Sequence, residues 1–134
     1  MKAYLAGPMT GYPERNFPEF IRRKKELESL GYEVVFPFDI DGNADNELTR
    51  PYVIRLDVFL IIGADASQKP VDAVFVLRGW ERSRGTRLEV ELACQLDIPV
   101  MWADTLELVS TEERVAASAQ LDVGLFRYWS PDSL

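Results

Sequence analysis

The sequence predicts a single α/β domain in which helices cover both faces of a parallel sheet. Its 134 residues suffice for one domain with one core, and 47% apolar and 28% charged residues are ordinary for a globular protein. Short apolar segments with strand character alternate with longer segments of helical periodicity. Because parallel strands need crossovers, this alternation favours a central sheet of four to five parallel strands. We expect residues 1–134 to form one domain.

Four segments have the composition of buried strands, at residues 2–6, 33–36, 71–77 and 98–102. The first is short and apolar, and it ends at Gly7 and Pro8, which indicate a turn. The second is closed by Pro37. The third is rich in β-branched and aromatic residues, which fit the pleated surface of a sheet.

Helices are predicted between and after these strands, at residues 17–30, 51–62, 85–96 and 112–121. The first helix has apolar residues near a period of 3.6, namely Phe17, Phe20, Ile21, Leu27 and Leu30. Pro18 suits its first turn, and Gly31 suits the position just past its end. Pro51 similarly suits the start of the second helix. Polar connecting segments predict loops at 39–49, 64–70 and 78–84.

Composition excludes several classes of function. There are 15 Lys and Arg against 22 Asp and Glu, so the net charge of −7 argues against a general nucleic-acid coat protein. The chain has no His, which excludes Ser-His-Asp and Cys-His catalysis and any His-ligated metal. Cys94 is the single Cys, so no internal disulfide or Cys-based zinc site forms, and we expect a small buried residue in a helix.

The same composition sets expectations for cofactors and location. Chemistry must come from carboxylates, hydroxyls, Arg, Lys and backbone groups, and we expect neither metal nor cofactor. The first apolar segment is too short for a signal peptide, and the longest apolar run, residues 58–64, is far below the length of a bilayer span. We therefore expect a cytoplasmic protein that binds a small molecule.

Ligands of such sheets sit at the carboxyl ends of the strands, so the loops after strands one and three should line the site. These are residues 7–17 and 79–89. Gly7, followed by Pro8 and Met9, would let a ligand approach the backbone closely, although an ordinary tight turn explains it equally well. The spacing is neither a dinucleotide fingerprint nor a phosphate-binding Walker loop.

The second loop leads into the third predicted helix. Ser83 or Thr86 can cap that helix, and its free N–H groups together with Arg82 or Arg84 could bind an anion. Simple capping with solvated arginines is the alternative. Gly85 lies between the two hydroxyl residues and would contribute its backbone amide.

Three carboxylates are candidate catalytic groups. Leu88, Leu92 and Leu96 lie four residues apart, which predicts that they form the buried stripe of the helix. Glu89 lies next to this predicted stripe. Its place near the helix start favours the ionised form that a nucleophile requires, but a surface Glu is the alternative. Asp57 and Asp72 could each supply a second carboxylate; the alternatives are a solvated helix position and a residue at the start of a strand.

The chain resembles a known family. Residues 4–8, Tyr-Leu-Ala-Gly-Pro, followed by Gly85-Thr86-x-x-Glu89-x-x-x-Ala93, are similar to the nucleoside 2-deoxyribosyltransferase superfamily, which includes 2′-deoxynucleoside 5′-monophosphate N-glycosidases. Asn16-Phe17-Pro18 and residues 79–85 look like a phage-rich branch of it. The resemblance covers residues 3–102.

The resemblance implies a flavodoxin-like, three-layer domain that is usually oligomeric. It also implies cleavage or transfer at the N-glycosidic bond of a deoxynucleoside or its 5′-monophosphate, with Glu89 as the nucleophile. We expect Asp72 or Asp57 to position the sugar hydroxyls or the base. A sugar with oxocarbenium character is stabilised or trapped by such a carboxylate. The tail, residues 122–134, either covers its own core or forms a subunit interface.

One departure from the family pattern bears on the substrate. Transferases of the family tend to have Asp where this chain has Ser83, and the monophosphate-cleaving relatives are Ser-rich there, which favours a nucleotide. Arg15 would be a second phosphate ligand, and Trp80 would stack on a base. The predicted substrate-binding set is Tyr4, Gly7, Pro8, Met9, Arg15, Asn16, Phe17, Trp80, Ser83, Gly85 and Thr86. A nucleotide-binding or sensor module without turnover would use the same pocket.

Overall fold

A computed structural model describes residues 1–35, 57–58, 61–63 and 69–117. Its centre is a four-stranded sheet in which every strand pairs in parallel with its neighbours, in the order β2-β1-β3-β4. The strands are β1 (Lys2–Ala6), β2 (Glu33–Val35), β3 (Ala73–Val76) and β4 (Val100–Trp102). This confirms the predicted α/β class with a parallel sheet, and the arrangement is that of a three-layer, flavodoxin-like fold.

The strands form where they were predicted, but β3 and β4 are shorter than the predicted segments, and the last residue predicted for β2 lies outside the described residues. β3 begins two residues later than predicted, because the Val71 amide donates to Ile61 O instead of to a neighbouring strand, and it ends one residue earlier. The register pairs Ala6 of β1 with Val76 of β3, and Val76 with Trp102 of β4. The carboxyl ends of three strands therefore lie level at one edge of the sheet.

Two helices are described in full, α1 (Phe17–Ser29) and α2 (Arg84–Gln95). α1 ends at Leu30, and Gly31 follows it with a φ of +97°, as the sequence predicts. Phe20 and Leu27 are buried, whereas Phe17 and Leu30 at the two ends of the helix are exposed. The buried stripe of α1 is therefore shorter than predicted. Helical residues also occur at 57–58, 61–62 and 111–117, within the second and fourth predicted helices.

The core lies on both faces of the sheet. Alternate residues of β1 point to opposite faces, so Ala3 and Leu5 pack with Phe20 and Leu27 of α1. On the other face, Tyr4 and Ala6 pack with residues that include Ile61, Val90, Ala93 and Ala117. α1 and α2 therefore cover different faces, which makes the layers of the fold.

Some predictions lie outside the described residues, namely the loop 39–49, most of the helix 51–62 and the tail 122–134. Cys94 is in α2, as predicted, but it is half-buried and its Sγ accepts a hydrogen bond of 3.0 Å from Arg114 Nη1. In the part of the chain that is described, no helix has the length and apolar character needed to cross a membrane.

Candidate functional site

The strand order makes a topological switch point at the carboxyl edge of the sheet, and we call the space between the two loops there the cleft. β1 and β3 are neighbours, but the chain leaves β1 toward β2 on one side and leaves β3 toward β4 on the other. Because α1 and α2 cover opposite faces, the loops that follow β1 and β3 diverge. Such a switch point is where open α/β sheets bind ligands. The two loops in which the sequence concentrates unusual residues meet at this place.

Gly7 closes the end of β1 against the end of β3. A Cβ atom at Gly7 would lie 2.7 Å from Leu77 Cβ, a distance that real Cβ atoms do not reach. The Leu77 amide donates to Ala6 O at 2.9 Å, which fixes this close approach. Gly7 is therefore required by the packing of the two strand ends at the base of the cleft.

We expect Gly7→Ala to lower the free energy of unfolding by about 1–3 kcal/mol, because the added methyl overpacks a fixed backbone contact. Urea unfolding measures the loss. Gly85→Ala is the matched control, since a Cβ at Gly85 meets no atom of the described residues within 4 Å. Equal stability of wild type and Gly7→Ala would refute the packing argument.

The loop after β1 has an unusual backbone. Glu14, Arg15 and Asn16 have φ values of +51°, +55° and +65°, so three consecutive residues with a Cβ atom adopt the left-handed region. Asn16 Nδ2 donates to Pro8 O at 2.9 Å and closes the base of the loop. Composition predicted a loop here but gave no signal for this conformation.

The turn after β3 prepares the start of α2. A 3₁₀ turn (Trp80–Arg82) precedes Ser83, whose Oγ accepts hydrogen bonds from Thr86 N at 3.2 Å and from Thr86 Oγ1 at 3.0 Å. Ser83 therefore caps α2, as the sequence predicts. A serine hydroxyl that accepts hydrogen bonds still has one proton to donate, so Ser83 keeps a donor beside the start of α2.

Trp80 is placed differently from the prediction. Its side chain is 1% exposed and packs in the core with Tyr4 and Val90. The indole is therefore not available to stack on a base, because its faces are covered by the core. Its role in this structure is to anchor the turn that leads to Ser83.

Glu89 lies on the buried face of α2, which corrects the predicted stripe. The buried residues of this helix are Thr86, Glu89, Val90 and Ala93. Leu88 and Leu96, predicted to be buried, are 38% and 43% exposed. Small side chains let the helix approach the sheet closely, so the face that carries them is the one covered. The surface alternative for Glu89 is thereby excluded.

The Glu89 carboxyl is buried beside a second acid. Glu89 is 6% exposed and Asp57 is 7% exposed. Burial, and then the negative charge of Asp57, raise the pKa of Glu89 from 4.5 to about 8, while a hydrogen bond with the Tyr4 side chain opposes the rise. Among the described residues, Glu89 Oε2 has no hydrogen-bond partner.

This pKa overturns the expectation that the helix dipole keeps Glu89 ionised. α2 begins at Arg84, so Glu89 lies in its second turn, whereas the dipole acts mainly within the first. Desolvation and the neighbouring carboxylate are the larger effects. A pKa of about 8 favours the protonated form of this carboxyl at neutral pH.

Asp72 does not belong to this group. It lies at the amino edge of the sheet, where its Oδ2 accepts a hydrogen bond of 2.6 Å from the Lys2 amide. β3 separates it from the cleft by four residues, about 13 Å of strand. Asp72 is therefore a residue at the start of a strand, which is the alternative stated for it above, and Asp57 supplies the second carboxylate.

The other predicted residues divide between the two loops and the core. Gly7 and Pro8 are buried at the end of β1, and Tyr4 lies beneath them on the face of the sheet that α2 covers. The half-buried ones are Met9, Arg15, Asn16, Ser83 and Gly85, and Phe17 is exposed. Tyr12 and Gly79 are not among the predicted site residues, yet they meet between the loops.

Fold and site together define an α/β domain with a buried acidic pair below the switch point of its sheet. A family model described as "Domain of unknown function (DUF4406)" matches residues 1–102, which include both loops and Glu89. The chain belongs to this family. No curated protein and no solved structure matches it.

Proposed function

We propose that the protein cleaves or transfers at the N-glycosidic bond of a 2′-deoxynucleoside or its 5′-monophosphate, with Glu89 as the group that faces the sugar. The observation that carries the proposal is the buried pair of Glu89 and Asp57, with Tyr4 against Glu89, at the switch point of the sheet. A buried carboxyl with a strongly shifted pKa in a cleft is typical of a functional site, because folding gains nothing from it.

The chemistry of this bond fits two carboxyls that share one proton. Breaking the bond between sugar C1′ and the base nitrogen leaves the electron pair on the base and positive charge on the sugar. The base then needs a proton, and the sugar needs a carboxylate. Since the pKa of Glu89 is about 8, the pair holds a proton at neutral pH.

The proton and the bonds balance over one cycle. The proton of the pair passes to the departing base, and the Glu89 carboxylate that remains bonds to C1′ or stabilises its charge. In hydrolysis, the oxygen of a water then bonds to C1′, any bond between Glu89 and C1′ breaks with its electron pair returning to the carboxylate, and the proton of the water returns to the pair. In transfer, the N–H of a second base plays the part of the water.

The start of α2 supports recognition of the 5′ end. Ser83 can donate its hydroxyl proton, and the first amides of the helix favour an anion. Arg82 and Arg84 are exposed beside it, and Arg15 lies in the loop after β1. These groups favour a monophosphate over a free nucleoside.

Ser83→Ala tests this preference. We expect a loss of about 1 kcal/mol in the free energy of unfolding from the missing cap. We also expect KM to rise for deoxynucleoside monophosphates more than for deoxynucleosides. Ser83→Thr, which keeps the cap and the hydroxyl, is the control. An equal change of KM for both substrate classes would count against a phosphate at Ser83.

Incubation with deoxynucleosides and their monophosphates, followed by chromatography for free base, tests the function itself. The proposal predicts release of base, or exchange of bases when a second base is added. A nucleotide that stays bound through purification without any release would indicate a binding module instead.

A further inference from the structure

The two loops that frame the cleft touch at Gly79. Gly79 has a φ of +87°, and a Cβ atom added to it would lie 2.5 Å from Tyr12 Oη and 3.5 Å from Pro8 Cγ. Tyr12 and Pro8 belong to the loop after β1, whereas Gly79 belongs to the turn after β3. The Tyr12 phenol therefore packs against the backbone of Gly79, and a side chain at residue 79 would displace it.

Tyr12 is also tied into its own loop. Its amide donates to Met9 O at 3.2 Å, and its carbonyl accepts from the Arg15 amide at 3.0 Å. The Tyr12 ring contacts Gly79, and the Tyr12 carbonyl bonds to the Arg15 amide, so Tyr12 links Gly79 to the backbone of Arg15. Asn16 closes the loop onto Pro8 from the other side.

The backbone of this loop needs such support. Glu14, Arg15 and Asn16 are all in the left-handed region, which is unfavourable for residues with a Cβ atom. Strain of this kind persists only where surrounding contacts hold it. Contacts within the loop do not fix where the loop stands relative to α2, but the contact with Gly79 does.

Gly79 is held in place by the turn to which it belongs. It directly precedes Trp80, whose buried indole holds the turn in the core, and the same turn leads to Ser83, the cap of α2. The phenol therefore stands on the same short segment that places the start of α2.

We propose that Tyr12 is a positioning residue that sets the width of the cleft, and that Gly79 is glycine because it must seat the phenol. The contact holds Arg15 and Asn16 at a fixed place opposite Ser83. This inference rests on the proposed function, in which Arg15 and Ser83 hold the 5′ end of the substrate. Tyr12 itself need not touch the substrate.

The test measures kcat and KM for 2′-deoxynucleoside monophosphates in a set of variants. Tyr12→Ala and Gly79→Ala should raise KM by about tenfold or more, since small displacements of positioning groups have large effects. We expect kcat to change little, because Glu89, Asp57 and Tyr4 lie outside this contact. A rise of KM alone marks lost binding that is uniform along the reaction.

Rescue by a conservative variant makes the test specific. Tyr12→Phe removes only the hydroxyl, and the nearest ring atom, Cζ, lies 3.7 Å from the Cβ position of residue 79, an ordinary contact. Tyr12→Phe should therefore behave as wild type, and the double variant Tyr12→Phe/Gly79→Ala should recover most of the KM lost in Gly79→Ala. Gly31→Ala is the control for backbone strain alone, since Gly31 has a φ of +97° with nothing within 4 Å of its Cβ position.

Hydrogen exchange of the Arg15 amide separates this inference from the proposed function. Faster exchange in Gly79→Ala, reversed in the double variant and absent in Gly31→Ala, supports the contact even if no variant or wild type releases base. Unchanged exchange overturns it. If wild type releases base and the KM of both Gly79→Ala and Tyr12→Ala stays at its value, the positioning role is wrong and the proposed function stands.

Discussion

Glu89→Gln abolishes release of nucleobase while the fold survives, and this is the largest functional effect that we expect from a single substitution. The amide has nearly the volume of the carboxyl but can neither give up a proton nor bond to C1′. Loss of an acid or base of this kind lowers the rate by about 10²-fold to 10⁴-fold, and loss of a nucleophile lowers it further. Glu89→Ala gives the same result with an added cavity.

The control for this substitution is Glu91→Gln on the same helix. Glu91 is half-buried, and its Oε1 accepts a hydrogen bond of 3.1 Å from Gln95 on the outer side of α2. We expect its turnover of deoxynucleosides and monophosphates to match wild type. Turnover by Glu89→Gln at the wild-type rate, measured by chromatography of the free base, would remove Glu89 from its role.

The second large effect is a gain of stability in the same variant, and the gain grows with pH. The folded pKa of Glu89, about 8, is raised above its ordinary value of 4.5. The contribution of Glu89 to the free energy of unfolding is therefore fully present below pH 4.5, and it is lost as pH rises through about 8. Because each pKa unit corresponds to about 1.4 kcal/mol, the loss is on the order of several kcal/mol. The amide in the Glu89→Gln variant cannot ionise, so the variant escapes this loss.

Urea unfolding of wild type and Glu89→Gln at pH 5, 7 and 9 measures this effect as a difference. We expect the two proteins to be similar near pH 5 and Glu89→Gln to be clearly more stable at pH 9. Asp104→Asn is the contrast, because the hydrogen bond from Arg78 lowers the pKa of Asp104 from 3.8, so its contribution is lost only at more acidic pH and its difference from wild type should stay constant from pH 5 to 9. A constant difference between wild type and Glu89→Gln across the range would show that Glu89 is not buried as an acid.

The two predictions together distinguish a site from a structural acid. A carboxyl that held the fold together would cost stability when replaced. Replacing a carboxyl that serves catalysis would lower turnover and raise the free energy of unfolding, as is common for functional groups in unfavourable surroundings. Only the second pattern agrees with a buried Oε2 that has no partner in the described part of the chain.

Much of the fold follows from local sequence signals. The apolar segment 2–6 and the Pro18 and Gly31 signals of α1 give the right elements at nearly the right residues, because each signal is a property of neighbouring residues. The sequence also predicted at which edge of the sheet the two loops come together, because the carboxyl ends of parallel strands share one edge.

The orientation of α2 could not be predicted in the same way. Leu88, Leu92 and Leu96 carry the strongest apolar spacing, yet the sheet covers the face with Val90 and Ala93. Hydrophobicity alone favoured the leucines, but close packing against a flat sheet favours small and β-branched side chains. The burial of Glu89 follows from this choice of face.

The roles of Asp72 and Trp80 were likewise decided by contacts that are distant in sequence. Asp72 accepts a hydrogen bond from the amide of Lys2, and Trp80 is buried in the core cluster that also contains Tyr4. The pKa of Glu89 depends on Asp57, a residue in a different helical segment. None of these partners is within reach of a local pattern, so the spacing of residues left the roles open.

The most direct measurement of the central claim is the site at which the sugar attaches. A deoxynucleoside monophosphate with fluorine at sugar C2′ slows departure of the sugar from the protein, because fluorine disfavours positive charge at C1′. After acid quenching and proteolysis, mass spectrometry should find the fluorinated sugar phosphate on the peptide that contains Glu89, and no such mass in Glu89→Gln. The same mass on a peptide with another carboxylate, and not on that of Glu89, would contradict the account.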